Sequence, residues 1–110
     1  MKELPKSTKV VVIGGGVAGT SCAYHLAKFG WKDVILLERD QLTSGTTWHA
    51  AGLLGQLGAS STITKIRKYS LDLYKELEKT TGLSTGMKQN GAITVASTKE
   101  RMQELLRQAT

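Results

Sequence analysis

Three observations predict an α/β protein for this chain of 110 residues. Lys9-Val10-Val11-Val12-Ile13 and Val34-Ile35-Leu36-Leu37 are short continuous apolar runs, the pattern of strands covered on both faces. A glycine cluster and a helical stretch lie between them. Strand, helix and strand within about thirty residues form a right-handed βαβ unit with parallel strands. A helix, short strands and a last helix are expected to follow.

Each element has its own signals. Gly14-Gly15-Gly16 ends the first strand. Val17 to Phe29 reads as a helix with Ala18, Cys22, Leu26 and Phe29 on one side, and Gly30 is a suitable stop. After the second strand, Thr43-Ser44-Gly45-Thr46-Thr47 and the glycines at 52, 55 and 58 indicate irregular backbone. Loops this long inside a compact domain tend to be functional or disordered. Thr62 to Lys79 is again helical: Ile63, Ile66, Tyr69 or Ser70, Leu73 and Leu77 form a stripe, and Gly82 ends it. Met87 to Ala96 is expected as a short hairpin or bent strand turning at Asn90-Gly91. Ser97, with Glu100 three residues on, predicts a capping box for the last helix, which shows no Gly or Pro stop by Thr110.

Composition narrows the function classes. The chain is 40% hydrophobic and carries a net charge of +6. Its charges are dispersed and interleaved with acids, and Lys65, Arg67 and Lys68 read as a solvated helix face, which argues against nucleic-acid binding. No apolar run is long enough to suggest a membrane span. Cys22 is the single cysteine, so an internal disulfide framework and a cysteine-based metal site are excluded. It reads as a small buried helix residue. His25 reads as a helix-surface histidine, not a metal ligand, and Tyr69 and Tyr74 as packing residues. Asp72 and Glu76 share a face with Lys68, Lys75 and Lys79, a solvated arrangement and not a paired-carboxylate site. Met1 to Lys6 has neither an apolar leader core nor a long Arg/Ser-rich stretch, so a cytoplasmic protein is expected.

Gly14-Gly15-Gly16-Val17-Ala18-Gly19 fits G-x-G-x-x-G between a strand and a helix. Gly14 allows the tight turn, Gly16 lets a pyrophosphate approach the backbone, and Gly19 lets helix and strand pack closely. The helix start, at Val17 and Ala18, offers free N–H groups and partial positive charge to phosphates. Glu38 ends the second strand, where a carboxylate accepts hydrogen bonds from ribose hydroxyls and repels a 2′-phosphate. Arg39 either lies along the adenosine or is an exposed charge. Together these residues predict binding of the ADP half of a dinucleotide, and they leave FAD and NAD both open. Such a Rossmann-like fold needs a third strand beside the first two. The chain is therefore expected to be the N-terminal, incomplete part of a longer enzyme, with exposed apolar strand faces. Residues 1–60 would be the βαβ unit and its loop, and residues 61–110 the helix–strand–helix that begins the rest of the domain.

The loop Thr43 to Leu53, with its string Trp48-His49-Ala50-Ala51-Gly52-Leu53, resembles the flavin loop of the sarcosine and dimethylglycine dehydrogenase group, within the D-amino-acid-oxidase-like FAD-dependent oxidoreductases. The resemblance runs from Val10 to about Ser97 and includes Thr81-Gly82 and Gln89-Asn90-Gly91. It implies a Rossmann-like FAD-binding domain and oxidation of a small N-methylated amine by hydride transfer. In those enzymes formaldehyde results, or a one-carbon unit passes to tetrahydrofolate. It also implies an electron acceptor. Their catalytic groups lie mostly in later sequence, so no catalytic residue is named. The loop chemistry suits this reading. Thr46 and Thr47 are hydroxyl donors for pyrophosphate oxygens, and Gly45 allows their close approach. Ala50, Ala51 and Gly52 leave room for a flat ring. The histidine matching His49 is joined to the flavin 8α-methyl carbon in the enzymes resembled, which makes His49 the covalent tether; the alternative is an ordinary loop histidine beside a noncovalent flavin. Trp48 either shields the flavin or fills core. An NAD enzyme sharing only the βαβ unit and a non-catalytic regulatory relative are the competing readings.

Overall fold

The computed structural model describes residues 5–109; Met1 to Leu4, where a leader core was not expected, and Thr110 lie outside the described residues. In chain order the elements are β1 (Val10–Ile13), α1 (Val17–Lys28), β2 (Val34–Leu37), α2 (Ser61–Thr81) and α3 (Lys99–Ala109). The chain divides between Leu53 and Leu54 into two units.

In the first unit β1 and β2 pair in parallel, with Val10 opposite Val34 and Ile13 opposite Leu37. The pairing extends past both ends: Val10 N–H donates to the Asp33 carbonyl at 3.2 Å and Gly14 N–H to the Leu37 carbonyl at 2.8 Å. The Asp33 carboxylate ties the amino ends together, accepting from the Thr8 hydroxyl at 2.9 Å and Lys9 N–H at 3.1 Å. Helix α1 packs on both strands. It covers the face of β1 that carries Val10 and Val12; Val11 and Ile13 remain 48% and 85% exposed. The apolar run suits a strand covered on both faces, and the outer face lies open as expected of an incomplete sheet, because a single helix supplies a single layer.

The face of α1 also differs from the expected stripe. Ala18, Cys22 and Phe29 are exposed, while Gly19, Ala23 and Leu26 are half-buried. The reason is the close approach at Gly19, where a Cβ would overlap the Gly14 carbonyl oxygen and lie 3.5 Å from Val12 Cγ1. That contact turns Gly19 toward β1 and Cys22 outward. His25 is half-buried, with Nδ1 2.7 Å from the Ser21 carbonyl oxygen and its ring edge-on to Tyr24. The helix ends as expected at Gly30, whose φ is +87°. Gly30 N–H donates to Ala27 and Trp31 N–H to Leu26, both at 3.0 Å, the paired bonds of a Schellman close.

In the second unit Ser60 caps α2, its hydroxyl accepting from Ile63 N–H at 3.3 Å. The preceding turn folds onto the same helix start: Gly58 N–H donates to the Thr64 hydroxyl at 3.1 Å, and the Arg67 guanidinium donates to the Leu57 carbonyl. Leu73, Tyr74 and Leu77 are half-buried, whereas Ile63, Ile66 and Tyr69 are exposed. Gly82, at φ +69°, ends the helix. Glu78 then accepts from both the N–H and the hydroxyl of Thr85, at 2.8 and 2.7 Å, which with the Ser84 hydroxyl keeps its carboxyl below the usual range.

Two expectations are corrected here. Residues 87–96 form no strand or hairpin: Gly91 adopts the expected positive φ of +78°, but Ile93 and Val95 stand 94% and 82% exposed. A strand needs a ladder partner, and none forms among the described residues. The cap of α3 is Thr98, not Ser97. Thr98 Oγ1 accepts from Arg101 N–H at 3.2 Å, which leaves Glu100 one position short of a capping box.

Among the described residues one position is buried, Gly15, and every other residue is half-buried or exposed.

Candidate dinucleotide site

The site begins where β1 stops. Gly14 holds φ at +102°, a region that side chains rarely tolerate. The chain then reverses into α1, with Gly16 at the N-cap making no side-chain cap and no acidic residue in the first turn. The N–H groups of that turn have no carbonyl partner inside the helix and carry its positive end. A Cβ on Gly16 would stand 2.9 Å from Thr47 Oγ1. Thr47 itself accepts from Val17 N–H at 2.9 Å, so the loop after β2 reaches back to the start of α1. Ala18 is exposed beside it.

Glu38 follows β2 directly. Its Oε2 accepts from Gly15 N–H at 2.6 Å, and its Oε1 accepts from Arg39 N–H at 2.8 Å and Asp40 N–H at 3.1 Å. Gly15 first, then Asp40 and Arg39, hold the carboxyl below the usual carboxylate range against a smaller opposing effect of desolvation. Oε2 keeps a lone pair for a further donor such as a ribose hydroxyl.

Residues 42–49 form successive turns. Thr43 N–H donates to the Gly15 carbonyl at 3.0 Å, and the Thr43 carbonyl accepts from Trp48 N–H at 3.1 Å. Thr43 sits at φ +66°, a conformation rarely adopted by a β-branched residue and frequent at ligand sites. The carbonyls of Gly45, Thr46 and Thr47 accept from the N–H groups of Trp48, His49 and Ala50. His49 Nδ1 lies 2.9 Å from the Gly45 carbonyl oxygen. A carbonyl can only accept, so Nδ1 carries the hydrogen and the neutral ring leaves the Nε2 lone pair free.

The structure brings Gly14, Gly16, Val17, Gly19, Glu38 and Thr47 together at the carboxyl ends of the strands, where ligands bind in open parallel sheets. Arg39, Gly45, Thr46, Trp48, His49, Ala50, Ala51, Gly52 and Leu53 are exposed, Trp48 by 79% and Leu53 by 90%. Sequence reasoning missed three participants. Gly15 was legible only as a third glycine in the run. Leu42, whose Cδ2 would lie 2.5 Å from a Cβ on Gly15, had no signal. Thr43 was legible only as the first residue of the flavin loop, because its residue type disfavours the conformation it adopts. A cavity of about 350 Å³ lined by Lys9, Phe29, Gly30, Trp31, Lys32 and Asp33 lies at the opposite, amino ends of the strands. It lacks the helix N-terminus and the glycine cradle that mark the candidate site at the Gly14 end.

The donor set fits the ADP half of FAD: a helix start with no acidic residue in its first turn, a cradle that side chains would fill, and an oriented carboxylate. No helix among the described residues is long and apolar enough to cross a membrane.

Comparison with known proteins agrees with this geometry. Residues 9–110 match the family described as FAD dependent oxidoreductase. The chain is 48% identical over 107 residues to human mitochondrial sarcosine dehydrogenase, covering 96% of the chain and 12% of that protein. It is 48% identical over 108 residues to rat mitochondrial dimethylglycine dehydrogenase, covering 98% and 13%. It is 45% identical over 104 residues to the mouse mitochondrial pyruvate dehydrogenase phosphatase regulatory subunit, covering 94% and 12%. The chain thus spans about an eighth of the length of these curated relatives. With a match over nearly its whole length and an N-terminal βαβ unit of the FAD-binding type, the chain belongs to the FAD dependent oxidoreductase family.

Proposed function

We propose that the protein carrying this sequence is an FAD-dependent dehydrogenase of small N-methylated amines, of the sarcosine or dimethylglycine type. The observation that carries the flavin part of the proposal is the loop from Thr43 to His49 fastened to the glycine turn, with His49 Nε2 left free, and the amine class is supported by the similarity to sarcosine and dimethylglycine dehydrogenases. Residues 1–60 form the cofactor-binding start of the domain, and residues 61–110 begin its remainder.

Gly14, Gly16 and Gly19 shape the turn, and the helix start at Val17, Ala18 and Gly19, with Val17 N–H held by Thr47, supplies the positive end for the pyrophosphate. Glu38 takes the adenosine ribose and disfavours a 2′-phosphate, with Arg39 beside the adenosine. Gly45, Thr46 and Thr47 serve the pyrophosphate from the loop. Trp48, Ala50, Ala51, Gly52 and Leu53 border the flat ring. His49 is the tether to the flavin 8α carbon through Nε2, oriented by the Gly45 carbonyl. The flavin, when bound, accepts the electron pair removed from the amine. Substrate binding, transfer to an electron acceptor and any use of tetrahydrofolate belong to the remainder of the parent chain. The cytoplasmic expectation is not carried by the relatives, several of which are named as mitochondrial.

Acid precipitation of the full-length polypeptide tests the reading. A yellow pellet, turned colourless by His49→Ala, is expected. A colourless pellet with free FAD in the supernatant removes the tether and keeps the flavin. Absence of FAD from both fractions contradicts the proposal and leaves the NAD reading. The resemblance to a regulatory subunit favours a second reading, a flavoprotein without turnover. Bleaching of the bound flavin by sarcosine or dimethylglycine under anaerobic conditions separates it from the first.

A further inference from the structure

We infer that Gly15, the position the glycine motif leaves unspecified, is a positioning residue that couples the ribose-binding carboxylate to the flavin loop. The inference rests on the FAD reading above.

Gly15 is the one buried position among the described residues. Each part of it is in use. Its N–H donates to Glu38 Oε2 at 2.6 Å. Its carbonyl accepts from Thr43 N–H at 3.0 Å. The place a Cβ would take is filled by Leu42 Cδ2 at 2.5 Å and by Glu38 Cβ and Oε2 at 3.1 Å. Its backbone does not require glycine, because its φ lies outside the positive region occupied by Gly14. The demand for glycine comes from the neighbours.

One peptide unit on each side of Gly15 therefore serves each end of the cofactor. The amide nitrogen orients the group that meets the ribose. The carbonyl anchors Thr43, and Thr43 in turn holds Trp48 N–H, at the start of the turn that presents His49. Thr43 adopts φ +66° while making both bonds, which is the strain expected where a loop is held in place by its partners. A side chain at Gly15 would push Leu42 and Glu38 apart, moving the ribose carboxylate and the loop together.

The test uses the full-length polypeptide. In a His49→Ala background, where binding is reversible, FAD affinity is measured by flavin fluorescence for Gly15→Ala, Leu42→Ala and the double variant. With His49 present, the acid-stable flavin fraction is measured for the same set. Gly15→Ala is expected to weaken FAD by about tenfold or more and to lower the acid-stable fraction, as overpacking of a filled site does. Leu42→Ala alone is expected to stay within about threefold, and the double variant to return to within about threefold of Leu42→Ala, because the pair shares one contact. Thr43→Pro removes the N–H and cannot adopt φ +66°, so it should lose both affinity and tether. If the parent protein binds FAD and Gly15→Ala leaves affinity and tether unchanged, or the double variant is no better than Gly15→Ala, or Thr43→Pro behaves as wild type, the inference is overturned and the FAD reading stands. If the parent takes up no FAD, the FAD reading fails and this inference with it.

Discussion

The glycine turn and the ends of α2 are both closed by hydrogen bonds, but over different spans of sequence. In the turn the partners are distant: Gly15 with Glu38 is 23 residues apart and Val17 with Thr47 is 30. Around α2 they are near: 3 residues for Ser60 and Ile63, 6 for Gly58 and Thr64, 7 for Glu78 and Thr85, and 10 for Leu57 and Arg67. Local bonds end a helix and fix its neighbours. Distant bonds assemble a surface from segments that share no continuous element, which is what a ligand with several chemical parts needs. A broken bond in the first region should therefore be read in cofactor binding, and one in the second in local stability alone.

The largest effect expected is for Gly19→Ala. The new Cβ would overlap the Gly14 carbonyl oxygen, a backbone atom that cannot swing aside as a side chain does. Separation of α1 from β1 should weaken FAD binding in the full-length protein by roughly a hundredfold or more, seen by titration with FAD. Thr47 comes next. Thr47→Val removes the acceptor for Val17 N–H and should weaken FAD by about tenfold, the scale of one lost hydrogen bond, while Thr47→Ser keeps the hydroxyl and should stay near wild type.

The Glu38 interaction has a defined pH window. Its carboxyl is held below the usual range by the Gly15, Asp40 and Arg39 N–H groups. A depressed folded-state value means that the stabilisation is complete above the ordinary carboxylate range and is lost only as pH falls through the depressed value. The advantage of wild type over Glu38→Gln in FAD binding should thus persist through the ordinary carboxylate range and disappear only as pH falls below it. A loss beginning near neutrality would contradict the bonding described for Glu38.

The second region sets the lower end of the scale. Gly82→Ala places a side chain at φ +69° and should cost about 1 kcal/mol, visible as faster hydrogen exchange in the last turn of α2 with FAD affinity unchanged. Smallest is Glu104→Gln. Arg107 foremost, then Gln108, bring the Glu104 carboxyl down to about 2, but the bidentate pair with Arg107 at 2.7 and 2.8 Å is exposed. Solvent screening should leave the melting temperature indistinguishable from wild type.

The same contrast of reach explains what could be read from sequence. The strands, α1, α2 and the stops at Gly30 and Gly82 were legible because periodicity and end signals act within a few residues. Gly14, Gly16, Gly19 and Glu38 were legible because spacing carries their geometry. The face that α1 presents was misread: residue hydrophobicity favoured Cys22 and Phe29, whereas the contact of Gly19 with Gly14 sets the rotation. The hairpin at residues 87–96 was overcalled from Asn90-Gly91, since a turn residue sets φ and not a pairing partner. Ser97 and Thr98 offer the same hydroxyl, and residue type alone does not choose between them. Gly15, Leu42 and Thr43 meet only once β1, β2 and the loop are assembled.

A peptide map of the full-length protein tests the central claim most directly. Trypsin cuts after Arg39 and Lys65 and releases a peptide, residues 40–65, that contains the whole loop and a single histidine, His49. This peptide is expected to be yellow, fluorescent and heavier by the mass of a flavin adenine dinucleotide, with fragmentation placing the addition on His49. A flavin-free peptide from protein that never held FAD would contradict it.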